Sequence, residues 1–192
     1  MQPGRSVGTI YIFFGLIASG KSTLAEQFAS RYDFPYINTD RVRKQLAGID
    51  PATKQSDQFN RGIYTSEFSR KTYQAMLDKA EEEIGAGRRG VVLDGSYSSL
   101  DERARVMKLA AQLGADFMFI QCVCSENTVK QRLEIRARDP QAVSDGRWEI
   151  FLVQKEKFQP PDELDTSQLI TMDTEQPVSK MVENLAETLN LQ

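Results

Sequence analysis

No histidine occurs among the 192 residues of this chain. Serine-hydrolase triads, histidine-held metal sites and imidazole acid-base catalysis are excluded with it, so any proton transferred here moves through carboxylate, lysine or solvent. Cysteine is nearly as scarce, with only Cys122 and Cys124. One residue apart in an apolar run, they are expected on one face of a strand as core side chains. Neighbours of that kind rarely have disulfide geometry, and two thiolates without histidine make a poor zinc site. No apolar run is long enough to span a membrane, and neither sign of charge dominates: 24 Lys+Arg against 27 Asp+Glu leave a net charge of −3 and a pI of about 5.2. That balance gives the molecule no drive toward polyanions, which disfavours nucleic acid as a partner, and it suits a cytoplasmic protein with no membrane contact. Internal repeats, low-complexity tracts and linkers are lacking too, and the length suits one compact domain over 1–192.

What the sequence does contain lies near its start. Residues 15–22 read Gly-Leu-Ile-Ala-Ser-Gly-Lys-Ser, a full match to GxxxxGK[ST], where the apolar run Thr9 to Phe14 gives way to an amphipathic one. Backbone N–H groups of such a turn converge with the N-terminal end of the next helix into a concave anion site, and Gly15 and Gly20 add no side-chain bulk. Triphosphate is the natural guest, with Gly15, Ala18, Ser19, Gly20, Lys21, Ser22 and Thr23 as its cradle. Lys21 supplies a mobile cation for the β- and γ-phosphates, and the Ser22 hydroxyl a hard oxygen ligand for Mg²⁺. A signal peptide built on Arg5 and the run Ile10 to Ala18 leaves Gly-Lys-Ser-Thr unexplained, whereas the phosphate-loop reading uses every residue.

Apolar runs at Thr9 to Phe14, Tyr36 to Thr39, Val91 to Leu93, Phe117 to Val123 and Leu169 to Met172 alternate with helical patterns near 21–31, 41–47, 63–84, 100–113, 126–138, 145–158 and 178–189. Such a succession of βα units predicts an α/β fold with a five-stranded parallel sheet covered on both faces. Ser99 with Glu102 forms a capping box, and Pro160-Pro161 stops the helix before the last strand. The stretch 41–87, between the second and third strands, exceeds a simple crossover and carries Arg61, Tyr64, Arg70 and Tyr73. It is expected to wall the acceptor side of the sheet's C-terminal edge; a solvated helix pair with Tyr64 and Tyr73 packed inward is the alternative.

Phosphoryl transfer needs positioning, a metal and a group that orients or deprotonates the attacking oxygen. Asp40 ends the second strand on the phosphate-loop edge, in reach of an acceptor hydroxyl; its alternative role is N-cap of a helix starting at Arg41. Arg43, three residues on, faces the same cleft in the functional reading. Asp94 closes the strand Gly90-Val91-Val92-Leu93 and suits the Mg²⁺-holding carboxylate. The residue after it is Gly95 rather than glutamate, which favours transfer to a bound acceptor over hydrolysis. Lys130, Arg132, Arg136 and Arg138 precede an Asp139-Pro140 break, and residues 132–148 are expected to form a lid whose arginines, Arg132 and Arg136 sharing one helix face, neutralise transition-state charge. Asp173 and Thr174, after the last strand, are candidates for an adenine pocket.

The combination of phosphate loop, Asp40-Arg41-Val42-Arg43, Asp94-Gly95-Ser96 and arginine-bearing segment resembles the P-loop kinases of the nucleoside-kinase-like group, among the AAA-type and zeta-toxin-like P-loop NTPases, and includes the kinase domain of phage-type polynucleotide kinase in its likeness. It is most similar to a bacterial family of predicted ATP-binding kinases often joined to an aminoglycoside-phosphotransferase-like domain. The resemblance implies a strand order of 2-3-1-4-5 with a helical lid. It also implies Asp40 as base, Arg43 as acceptor or phosphate clamp, and Arg136 or Arg132 as the lid arginine. An ATP- and Mg²⁺-dependent kinase for a small-molecule hydroxyl is the leading expectation. A 5′-hydroxyl polynucleotide kinase and a nucleotide-dependent switch or slow ATPase are the others.

Overall fold

Five parallel strands order themselves β2-β3-β1-β4-β5, from β1 (Thr9–Phe14), β2 (Tyr36–Asn38), β3 (Gly90–Asp94), β4 (Asp116–Val123) and β5 (Leu169–Asp173). The computed structural model describes residues 7–50, 65–138 and 147–191. Its helices are α1 (Lys21–Tyr32), α2 (Thr39–Leu46), α3 (Ser66–Gly85), α4 (Leu100–Leu113), α5 (Glu126–Arg138), α6 (Trp148–Lys157) and α7 (Val178–Thr188). The strand order is the one the resemblance implied. Arg61, Tyr64, the side chain of Arg138 and residues 139–146 of the expected lid lie outside the described residues.

The period-two pattern of β1 sorts its side chains between two cores. Ile10, Ile12 and Phe14 join Val91, Leu93 and Phe119 beneath α3 and α4, whereas Tyr11 and Phe13 join Val92, Ile120 and Cys122 beneath α1 and α7. Both faces of the central strand are therefore buried, which is why it reads as an unbroken apolar run. Phe28 of α1 packs on Tyr11, Phe13, Tyr32 and Phe34 with ring centroids 5.1 to 6.1 Å apart, fixing the helix behind the phosphate loop.

A third, smaller cluster bears directly on the site. Ile17 and Ala18 of the phosphate loop pack with Val129 and Leu133 of α5 and Phe151 of α6, and Leu16, Cys124 and Trp148 close around them. The loop thus sits on α5 and α6 through its own side chains. Cys124 falls here rather than in the sheet: β4 ends at Val123, so the two cysteines do not share a strand face as expected. Cys122 alone is sheet core, and burial pushes its thiol up to about 12.

One further boundary differs from expectation. Helix α2 starts at Thr39 because Asn38, not Asp40, is its N-cap, with the Asn38 side chain accepting from the Arg41 amide at 3.0 Å. Beyond β3, Arg103 of α4 is fully buried and forms an ion pair with Glu163 through Nε and Oε1; its Nη1 donates to the Tyr97 carbonyl at 3.0 Å and its Nη2 to Pro160 at 3.2 Å. That pair pins the turn after β3, where Tyr97 takes a φ of 40°, to the segment leading into β5.

Candidate active site

The phosphate loop runs from the end of β1 to the first turn of α1. Gly15 has φ 141° and Gly20 φ 88°, and both are tightly approached: a Cβ on Gly15 would lie 2.5 Å from the Cys122 carbonyl oxygen, and one on Gly20 would lie 2.8 Å from Thr174 Oγ1. No side chain fits either position. Lys21 Nζ lies 3.4 Å from the Leu16 carbonyl, across the loop, and Ser22 and Thr23 follow in the first turn of α1. The third loop amide, Ile17 N–H, donates to Gln154 Oε1 of α6 at 2.9 Å.

Asp94 stands beside the loop at the end of β3 and is 0% exposed. Its Oδ2 accepts from Tyr36 Oη and Asn38 Nδ2, each at 2.6 Å, while its buried Oδ1 has no partner. A buried carboxylate oxygen left bare is costly unless a cation or a cation-bound water faces it. Asp94 with Ser22 therefore fits Mg²⁺ of the phosphate-bound kind, which takes few protein ligands and keeps most of its shell as water and phosphate oxygen. Among the described residues no group of three or more Cys, Asp or Glu converges, as a protein-only cage would need. Burial, and then the Asp94 charge, push the Tyr36 phenol up, so it stays a neutral donor to Asp94.

Gly95 follows Asp94 in a packed turn: an added Cβ would lie 2.3 Å from Thr39 Oγ1, which itself donates to the Asp94 carbonyl at 2.7 Å. The water-activating glutamate of ATPase machines has no room here. Tyr73 of α3 packs inward, its hydroxyl 2.9 Å from Ser96 Oγ and accepting from the Tyr97 amide at 3.2 Å; Arg70 is exposed. Of the side chains expected to wall the acceptor side, Tyr73 thus serves the frame.

Asp40 lies in the first turn of α2, half-buried and without a capping duty, and Arg43 Nη1 donates to its Oδ1 at 3.2 Å. Arg43 Nη2 reaches Ser69 Oγ of α3 at 3.5 Å. Arg136 of α5 is half-buried. Burial and then the neighbouring Arg132 guanidinium lower its pKa, while Asp40 and Asp94 oppose the shift.

Arg132 is placed differently from the expected phosphate-facing lid residue. Its Nη1 donates to the Ala18 carbonyl at 3.2 Å and to Thr174 Oγ1 at 3.1 Å, and its Nη2 to the Thr174 carbonyl at 2.6 Å. Thr174, 2% exposed, donates to the Ser19 carbonyl at 2.5 Å. Beside these residues opens a cavity of about 330 Å³, lined by Ile135, Val178 and Met181 together with Arg136, Gly20 and Thr174. That size and lining suit a flat aromatic base. Asp173 is not in the lining; it is exposed, and its Oδ1 accepts from the Glu175 amide at 3.0 Å.

Tyr36, Asn38, Thr39 and Gln154 are absent from the sequence-based assignment. For the first two a signal was present: Tyr36 and Asn38 alternate on β2, and Asn38 pairs in register with Asp94, which puts both beside the carboxylate. Gln154 carries no such local mark.

A phosphate loop at the end of the central strand, a buried acid at the end of its neighbour and helices carried over that edge define the P-loop kinase fold. Solved structures share it over nearly the whole chain: a sugar kinase from Janibacter sp. (TM-score 0.65, 15% identity, 96% of this chain and 95% of that one), the Mycobacterium tuberculosis APS kinase in complex with AMPPNP and APS (0.66, 17%, 95% and 97%), and shikimate kinase from Bacteroides thetaiotaomicron (0.62, 17%, 96% and 99%). The chain belongs to the AAA domain family, whose sequence profile matches residues 10–161. An uncharacterized protein of Mycobacterium tuberculosis (strain H37Rv) is 30% identical over 119 residues, which are 62% of this chain and 24% of that protein. The chain thus spans about a quarter of the length of the curated relatives it matches.

Proposed function

We propose that this chain is an ATP- and Mg²⁺-dependent phosphotransferase that moves the γ-phosphate of ATP to a hydroxyl group of a small molecule. One observation carries the reading: the buried Asp94, its Oδ1 without a partner, ends the strand beside the phosphate loop, and Asp40, paired with Arg43, opens the helix that follows the neighbouring strand at the same edge of the sheet. Asp40 accepts the proton of the acceptor hydroxyl; its oxygen bonds to the γ-phosphorus as the bond from that phosphorus to the β–γ bridging oxygen breaks, and ADP leaves with the electron pair. Lys21 and Arg136 balance charge that gathers on the transferring group, and Arg43 holds the Asp40 carboxylate in place. Mg²⁺, held by Ser22 and Asp94, supplies charge neutralisation on the phosphates when bound. The cavity beyond Gly20 takes the base.

The names of the structural neighbours, with sugar, APS and shikimate as acceptors, support a small acceptor, and the net charge of −3 weighs against a polynucleotide. An ATP-consuming enzyme with free cysteines, and with no helix among the described residues long and apolar enough to cross a membrane, suits the cytoplasm. The test is ADP release by the protein with Mg-ATP against sugars, nucleosides, aminoglycosides and 5′-hydroxyl oligonucleotides. A small hydroxyl compound is expected to raise release above the solvent rate. Stimulation by oligonucleotides alone contradicts the small-molecule reading, and an unchanged solvent rate with every compound favours a slow ATPase.

A further inference from the structure

We propose that Thr174 and Arg132 are positioning residues for the phosphate loop: they hold two of its carbonyl groups outward, which fixes the path of the loop and turns the Gly20 amide toward the phosphates. This rests on the nucleotide reading above but assigns both residues a task other than lining the base cavity or meeting phosphate directly.

In a planar trans peptide the C=O of one residue and the N–H of the next point in opposite directions. Thr174 Oγ1 donates to the Ser19 carbonyl at 2.5 Å, from the side of the loop that carries β5. The Gly20 N–H is therefore turned away from β5, into the hollow that precedes α1. Arg132 fixes the peptide before it in the same sense, with Nη1 on the Ala18 carbonyl at 3.2 Å; the Ser19 N–H on the other side of that plane donates to the Leu16 carbonyl at 3.2 Å. Ala18 takes a φ of 60°, a conformation that a side-chain-bearing residue seldom adopts and that persists where neighbours enforce it. Arg132 supplies that enforcement, because the same guanidinium is bound to Thr174 at Oγ1 and at its carbonyl. Gly20 completes the fit: a Cβ there would lie 2.8 Å from Thr174 Oγ1 and 3.0 Å from Arg132 Nη1. The loop's shape is thus set by residues more than a hundred positions away in the chain, and by the same threonine that lines the cavity.

The two roles of Thr174 separate with a ligand that has no base. Wild-type protein and the variants Thr174→Val, Thr174→Ser and Arg132→Gln are titrated calorimetrically with Mg-ATP, and magnesium tripolyphosphate is measured by its displacement of Mg-ATP up to tens of millimolar. The expected result is a loss of about tenfold for both ligands in Thr174→Val and Arg132→Gln, with wild-type behaviour in Thr174→Ser, which keeps the hydroxyl. Affinity for tripolyphosphate left unchanged in Thr174→Val while Mg-ATP weakens would overturn the proposal and return Thr174 to the base cavity alone. Tripolyphosphate that fails to displace Mg-ATP from wild type, or Thr174→Ser behaving as Thr174→Val, also overturns it. If Thr174→Val does not fold, Arg132→Gln with Thr174→Ser carries the same comparison. Wild-type protein that binds neither ligand refutes the nucleotide reading itself, a failure distinct from the others.

Discussion

Asn38 joins the two carboxylates of the site. Its Nδ2 donates to Asp94 Oδ2 at 2.6 Å while its Oδ1 caps α2 through the Arg41 amide at 3.0 Å, so one side chain both orients Asp94, the acid proposed to hold Mg²⁺, and starts the helix that carries Asp40. Tyr36 adds the second donor to the same Asp94 oxygen, and Oδ1 is left without a partner, open to the proposed cation. Residues that orient a metal ligand in this way tune its affinity.

Tyr36→Phe is therefore expected to raise the Mg²⁺ concentration needed for half-maximal ADP release by about tenfold with little change in fold. Magnesium titration of the rate at saturating ATP reads the effect. An unaltered magnesium requirement would detach Tyr36 from the metal side.

Asp40→Asn should lower kcat by about 10² or more while Mg-ATP affinity, measured calorimetrically, stays within about twofold of wild type, as expected when a general base is lost. A fall in nucleotide affinity instead would move Asp40 from proton transfer to metal binding or to the frame.

Glu163→Gln should destabilise the protein at neutral pH by about 2 to 4 kcal/mol, because it strips the fully buried Arg103 of its charged partner. Arg103 holds the Glu163 carboxyl below its ordinary value of 4.5, so the ion pair contributes stability that is complete above that value and is lost as pH falls through the lowered one. Thermal melts of wild type and variant should differ by a constant amount above about pH 5 and draw together as pH falls from 4.5 through the lowered value. Melting curves that stay equally far apart in acid would contradict an ionised partner.

Gln154→Leu removes the acceptor of the Ile17 amide and is expected to cost about 1 to 3 kcal/mol of stability and to raise KM for ATP, whereas Gln154→Glu, which keeps an acceptor oxygen, should recover the stability. Equal melting temperatures for wild type and Gln154→Leu would show that this amide finds another partner.

Much of this architecture is legible in the sequence because it is written in local periods. The apolar runs became the five strands, each within about a residue of its expected limits, and the helices from α1 to α7 followed their 3.6-residue patterns. The phosphate loop is legible for the same reason, since its residues are contiguous. Long-range partners are not. That Asn38 rather than Asp40 caps α2 is decided by a polar side chain two residues earlier, and that Arg132 grips Ala18 and Thr174 is decided by how β4 and β5 bring α5 against the loop. Arg103 with Glu163 and Gln154 with Ile17 lie 60 and 137 residues apart, where no pattern of spacing links them.

Calorimetric titration of Mg-ATP into wild-type protein and Lys21→Ala, with both shown folded by circular dichroism, tests the central claim most directly. Saturable binding by wild type and its loss in the variant are expected. Folded wild-type protein that takes up no Mg-ATP, or a Lys21→Ala variant that binds it equally well, would contradict the account.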